Sequence, residues 1–182
     1  RRQRQMCIRD RYPNVQLKIN CVPLGIEEQN LCEIAEFACK YPVHVRFIEM
    51  MPIGYGSSFT GMSQEKIVSL LEERFGRLVP YEGEPLGNGP CKYYIVKGFQ
   101  GKIGFISAIS HKFCSECNRI RLTSQGYLKT CLQYTAGRDL REVLRNGGTD
   151  EELKEIIKEA LSEKPDGHHF REKAKEDDTE SL

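Results

Sequence analysis

A strand, a helix and a second strand follow one another within the first fifty residues. This order limits the fold of the chain more than any other feature does. Val15–Val22 (VQLKINCV) alternates and is β-branched at several positions, which predicts a strand ended by Pro23. Glu27–Lys40 places Leu31, Ile34, Ala35 and Ala38 at helical spacing, and Pro42 stops that helix. Val43–Met50 (VHVRFIEM) then predicts the second strand. A strand, helix and strand at such short range form a βαβ unit, whose strands pair in parallel through a right-handed crossover. The fold class expected is therefore α/β.

Beyond this unit, Gly54–Gly61 reads as a Gly/Ser loop. Ser63 reads as the N-cap of a helix over Gln64–Phe75, with Lys66 standing where a capping box would place an acid. After Gly76 the texture changes to short strand-like runs separated by Gly and Pro: Leu78–Tyr81, Lys92–Gly98, Lys102–Ser107, Arg119–Thr123 and Tyr127–Leu132. These predict antiparallel hairpins, with Phe99-Gln100-Gly101 as the clearest turn. Asp139–Arg145 and Asp150–Glu163 read as helices, and the charged residues 171–182 as a disordered tail. At the other end, residues 1–11 (RRQRQMCIRDR) have no periodicity, and their MCIRDR portion resembles a translated sequencing-adapter read. They are set aside as an artefactual leader, and the natural protein is expected to continue N-terminally.

Composition narrows the function classes. A hydrophobic fraction of 39% and a charged fraction of 29% suit a soluble globular chain. No apolar run approaches a membrane span and no secretory signal is visible, so a cytoplasmic protein without membrane association is expected. Lys and Arg number 27 against 26 Asp and Glu, a net charge of +1. That balance argues against broad electrostatic binding of nucleic acid, so any anion site must be a local cluster. Of the eight cysteines, three fall in one C-x2-C…C array and the rest are scattered singly. A disulfide framework would use its cysteines more evenly in a shorter secreted chain, so reduced thiols fit better.

Cys114-Ser115-Glu116-Cys117 puts two thiols on one tight turn, and Cys131 lies beyond a segment that reads as a hairpin with Ser124-Gln125-Gly126 at its tip. A hairpin returns the chain to its start, so three sulfurs can converge. Three thiolates suit either Zn²⁺ or an iron–sulfur cluster. A structural zinc site needs a fourth protein ligand, for which His111 is nearest in sequence and His168 and His169 are further candidates. A [4Fe–4S] cluster on three cysteines leaves one iron open. Spacing alone keeps both metals in play.

The next residues are Asn118-Arg119-Ile120-Arg121. On a strand, Arg119 and Arg121 would project from one face and form a clamp for phosphate or carboxylate. Exposed arginines elsewhere would be read as a solvated strand face; proximity to an open metal centre favours the clamp. Lys18 and Arg46 each interrupt an otherwise apolar strand, at a cost unless the cation faces a polar cavity. An edge strand with snorkelling side chains would explain either one alone, whereas both together favour the cavity, which in a barrel is its interior or C-terminal mouth.

The run C-x2-C-N-R-I-R-L-T…G-x-L-x3-C-L (Cys114–Leu132) resembles the C-terminal cluster signature of the GTP 3′,8-cyclases of molybdenum-cofactor biosynthesis. The resemblance extends to Leu17-Lys18-Ile19-Asn20, to Val45–Gly54 (VRFIEMMPIG), to Lys164-Pro165 and to His168-His169-Phe170. It implies a lyase of the radical S-adenosylmethionine superfamily with an incomplete (βα) barrel and two [4Fe–4S] clusters. In that family the N-terminal cluster cleaves S-adenosylmethionine to a radical that acts on the ribose of GTP, while the second cluster holds GTP through its open iron. Carried onto this chain, the resemblance makes Cys114, Cys117 and Cys131 ligands of the second cluster. It makes Lys18, Arg46, Arg119, Ile120 and Arg121 contacts of GTP, and Met51 a contact of S-adenosylmethionine. It divides the chain into the last βα units of the barrel (12–62) and a mixed, antiparallel region carrying the cluster and GTP (63–170). A homodimer of the full-length protein is compatible with it.

The family's first cluster sits on C-x3-C-x2-C, which occurs nowhere in these residues, so the chain alone is expected to be inactive. The family also usually ends in Gly-Gly, whereas this sequence ends Glu180-Ser181-Leu182 and its Gly147-Gly148 reads as a helix C-terminus. The alternative is a zinc-ribbon-like module binding nucleic acid or protein, with His111 completing the site. A small electron carrier would want a fully cysteine-ligated cluster and leaves Lys18 and Arg46 without a role.

Overall fold

The computed structural model describes residues 11–12 and 15–170; the readings of residues 1–10 as leader and 171–182 as tail lie outside them. The described chain forms two compact units, one up to Lys112 and one from Phe113.

The first unit is a five-stranded mixed sheet in the order β1-β2-β5-β4-β3. Its strands are β1 (Lys18–Cys21), β2 (His44–Ile48), β3 (Leu78–Pro80), β4 (Lys92–Val96) and β5 (Ile103–Ile106). β1 and β2 are parallel, as the βαβ reading requires, and β2 also runs parallel to β5. β3, β4 and β5 form the expected antiparallel hairpins. The sheet therefore draws strands from both sides of residue 62. Two helices, α1 (Leu31–Lys40) and α2 (Gln64–Phe75), supply the apolar stripes that cover it.

α1 begins at Leu31 rather than at Glu27, and local hydrogen bonding explains the difference. Gln29 spends its side chain on the Leu24 N–H and the Val22 carbonyl, and the Asn30 side chain caps the helix by accepting from the Glu33 N–H at 3.1 Å. α2 starts where Ser63 predicts, its hydroxyl accepting from the Lys66 N–H.

The alternation of the strands sorts the sheet into two faces. On one face, Cys21, Val45, Phe47, Ile103, Phe105, Val96 and Leu78 pack with Leu31, Ala35, Ala38, Ile67 and Leu71 of the helices. Phe47 and Phe105 stack with ring centroids 5.9 Å apart. Fully burying a side chain of this size contributes about 1.5–3 kcal/mol, so this face holds the unit together. The register places Lys18 beside His44, Asn20 beside Arg46, Arg46 beside Gly104, and Gly104 beside Tyr93, so all six share the opposite face.

The second unit is a three-stranded antiparallel sheet, β6 (Arg121–Leu122), β7 (Tyr127–Lys129) and β8 (Gly137–Asp139), with helices α3 (Leu140–Arg145) and α4 (Asp150–Ser162). The hairpin turn falls where the sequence placed it: Thr123 and Tyr127 are bonded across it at 2.9 Å, and the Gly126 N–H donates to the Thr123 carbonyl at 3.0 Å. Gly147-Gly148 closes α3, with Gly147 at φ +78° and bonds from Gly148 to Val143 and from Gly147 to Leu144. This is a Schellman end. α4 opens with a full capping box between Thr149 and Glu152.

Candidate functional site

Two groups of polar residues stand out, one in each unit. In the first, Lys18 and Arg46 occupy the sheet face opposite α1 and α2. A parallel pair with one polar face departs from the usual two-sided burial of such strands. Lys18, on the terminal strand β1, donates through Nζ to the Leu86 carbonyl of the β3–β4 connection. Arg46 donates from Nε to Asn20 Oδ1 at 2.8 Å. Between these cations sits His44, only 5% exposed. Its Nδ1 accepts from the Lys102 N–H at 3.1 Å, and its Nε2 lies 2.5 Å from the Gln16 amide nitrogen. Burial pushes the His44 pKa down from 6.5 to about 4, and the charges of Lys102, Lys18 and Arg46 add to the effect. Burial likewise lifts the Tyr93 phenol to about 12 and raises the Cys91 thiol.

Gly104 makes room for these groups. A Cβ there would meet Cys91 Sγ at 2.5 Å and the Tyr93 ring at 3.0 Å, so the close approach needs glycine. The β3–β4 connection encloses a cavity of about 360 Å³ lined by Tyr81, Leu86, Gly87, Cys91, Tyr93 and Tyr94 among others. Met51 is half-buried just past β2, and its carbonyl accepts from the Ile53 N–H at 2.8 Å, ahead of a 3-10 turn over Gly54–Ser58.

In the second unit, Cys114 and Cys117 bracket a 3-10 turn (Cys114–Glu116) closed by the Cys117 N–H on the Cys114 carbonyl at 3.1 Å. Cys131 lies two residues past β7, at the far end of the hairpin. All three are half-buried free thiols. Among the described residues, no group of three or more His, Cys, Asp and Glu side chains stands together as a set that could hold a metal ion. The hairpin return does not gather the three sulfurs into one set in this structure, contrary to the expectation from its spacing, because Cys131 lies beyond the end of β7 rather than on the ladder. As a donor type, thiols suit a thiophilic metal.

The arginine clamp needs a correction. The ladder begins only at Arg121, so Arg119 precedes the strand rather than sharing it. The reason is a competing partner: Lys164 Nζ donates to the carbonyls of Cys117 and Arg119, so the Arg119 carbonyl meets an ammonium rather than a strand. The Arg119 guanidinium instead lies over the Phe113 ring, 5.9 Å from its centroid, while Ile120 is exposed and Arg121 half-buried.

Three participants carried no separate signal in the sequence. His44 could have been found from the alternation, because it stands two residues before Arg46 and so shares its face. Glu49, at the end of β2, accepts from the Ile109 and Ser110 N–H groups at 2.7 and 2.9 Å and fixes the chain after β5. Lys164 appeared only within a resemblance motif, with no role attached.

Fold and residues define an α/β chain with a cationic sheet face and a separate thiol-bearing antiparallel unit. Residues 43–170 match the family model Molybdenum Cofactor Synthesis C, and the chain belongs to that family. It is 45% identical over 167 residues to a GTP 3′,8-cyclase of Clostridium perfringens, covering 91% of this chain and 51% of the relative. A GTP 3′,8-cyclase of Syntrophomonas wolfei is 41% identical over 85% of this chain and 48% of its own length. Molybdenum cofactor biosynthesis protein 1 of Dictyostelium discoideum is 37% identical over 85% of this chain and 25% of its own. The chain spans about half the length of the bacterial relatives it matches.

Proposed function

We propose that this chain is the substrate-binding portion of a GTP 3′,8-cyclase acting in molybdenum-cofactor biosynthesis, and that it holds a [4Fe–4S] cluster on Cys114, Cys117 and Cys131. The observation that carries the reading is the cysteine pattern of the second unit: half-buried free thiols at Cys114 and Cys117 on one turn and at Cys131 past the hairpin, with Arg119, Ile120 and Arg121 directly after the second of them. Family membership and the names of the relatives support the same activity.

In this reading Cys114, Cys117 and Cys131 would hold the cluster, which would supply an iron site for the guanine of GTP. The chain's own residues bind and orient the nucleotide. Arg119 and Arg121 supply guanidinium donors suited to an anionic ligand, and the Ile120 backbone lies between them. Lys18 and Arg46 are the further GTP contacts, and their placement together on the sheet face opposite α1 and α2 supports that role. Both already have oxygen partners, Leu86 and Asn20, which an incoming anion would have to outcompete. Met51 is the proposed contact of S-adenosylmethionine. The radical-generating cluster, the lyase reaction and any homodimer belong to the full-length enzyme, so this chain alone is expected to bind rather than turn over GTP.

The test is metal content after anaerobic reconstitution with iron and sulfide. One [4Fe–4S] cluster per chain, lost in Cys117→Ala, supports the reading; stoichiometric zinc with no cluster uptake refutes it. The latter outcome would favour the zinc-ribbon-like alternative, although His111 is exposed and its Nδ1 lies 3.2 Å from the Ser110 hydroxyl.

A further inference from the structure

We propose that Lys164 is a positioning residue that fixes the segment joining the second cysteine to the first arginine. The inference rests on the reading of Cys114, Cys117 and Cys131 as a ligand set.

The lysine is delivered from a well-anchored point. α4 ends at Ser162, and the Lys164 N–H closes on the Leu161 carbonyl at 3.2 Å. The neighbouring Glu163 carboxylate accepts from Arg138 on β8 at 2.6 Å, tying the helix end to the sheet. Pro165 cannot continue a helix, so the chain turns away immediately after the lysine.

From there Nζ reaches back across 47 positions to the Cys117 carbonyl, and at 3.2 Å to the Arg119 carbonyl. Alternate carbonyls of an extended chain point to the same side, where a neighbouring strand would normally bond them. The ammonium therefore stands in for a missing strand beside residues 117–119. Charge-assisted bonds of this kind are stronger than neutral ones.

The residues after Lys164 make the same connection elsewhere in the unit. A Cβ built on Gly167 would lie 4.0 Å from Cβ of Cys114. The Tyr134 hydroxyl donates to the Gly167 carbonyl at 3.3 Å, and the His169 N–H donates to Gln133 Oε1 at 2.7 Å. Residues 164–169 thus touch the cysteine turn and the stretch just past Cys131. Of these contacts, only the lysine's go to the backbone between a proposed iron ligand and a proposed substrate contact.

The experiment uses the metal-free 182-residue chain and measures iodoacetamide alkylation of each cysteine by mass spectrometry. Lys164→Met keeps the aliphatic stem and removes the donors; Lys164→Arg keeps the charge and two donors. Losing a charge-assisted bond at a local site corresponds to an increase in opening of about tenfold or more. Lys164→Met is expected to raise the alkylation rates of Cys117 and Cys114 by that factor, to leave Cys131 within about twofold, and to be largely rescued by Lys164→Arg. Unchanged rates at Cys117 would overturn the proposal. So would an equal rise at all three cysteines, which marks loosening of the whole unit. Failure of the wild-type chain to take up a cluster would refute the ligand reading while leaving this alkylation contrast to be judged separately.

Discussion

His44 gives the sharpest quantitative prediction, because its environment converts directly into a pH-dependent stability. The imidazole is buried and ringed by Lys102, Lys18 and Arg46, and its pKa is lowered from 6.5 to about 4. In the unfolded chain the ring takes a proton first as pH falls. The stabilisation is therefore fully present above about pH 6.5 and is lost as pH drops toward 4. The shift corresponds to about 3 kcal/mol in total, of which about 2 kcal/mol is lost between pH 7 and pH 5. The assay is native-state hydrogen exchange of the Val45 and Phe47 amides, which flank and follow the ring on β2, at both pH values. His44→Gln keeps a neutral acceptor for the Lys102 N–H and removes the titration, so its pH slope should be flatter by about 2 kcal/mol. An equal slope in both proteins, or an NMR midpoint for His44 at or above 6.5, would refute the reasoning. The same resonance should respond to ligand: an anion over Lys18 and Arg46 offsets two of the three opposing charges and should raise the midpoint.

Arg121→Ala should weaken GTP binding to the reconstituted chain by about tenfold or more, the value of a charge-assisted contact; calorimetry showing unchanged affinity would remove Arg121 from the substrate contacts. Thr149→Ala should destabilise the second unit by about 1 kcal/mol, because it deletes the capping-box acceptor of the helix that delivers Lys164. Thr149→Ser should restore the stability, and equal urea midpoints for all three proteins would contradict the assigned role.

Much of the first unit was legible because its periodicities are strong. The strand–helix–strand order, the Ser63 cap and the β4–β5 hairpin all follow from residue types acting over a few positions. The late start of α1 was missed because a glutamine side chain took backbone partners that helical spacing alone does not reveal. The parallel pairing of β2 with β5 was also hidden, since it joins segments nearly sixty residues apart. β8 was not foreseen at all: Gly137-Arg138-Asp139 has no strand propensity and pairs because β7 offers it an edge. The same logic separated Arg119 from Arg121. The sequence suggested one strand, and a lysine 45 residues away took the carbonyl that would have extended it. The shared face of Lys18 and Arg46, by contrast, was readable, because strand alternation needs no knowledge of distant partners.

The account's central claim is that the cysteine array holds a cluster whose open iron receives the substrate. It is tested most directly by EPR of the anaerobically reconstituted, reduced chain before and after adding GTP. The account predicts a [4Fe–4S] signal that changes when GTP is added, with the change diminished in Arg121→Ala. A cluster signal indifferent to GTP at saturating concentration would contradict it.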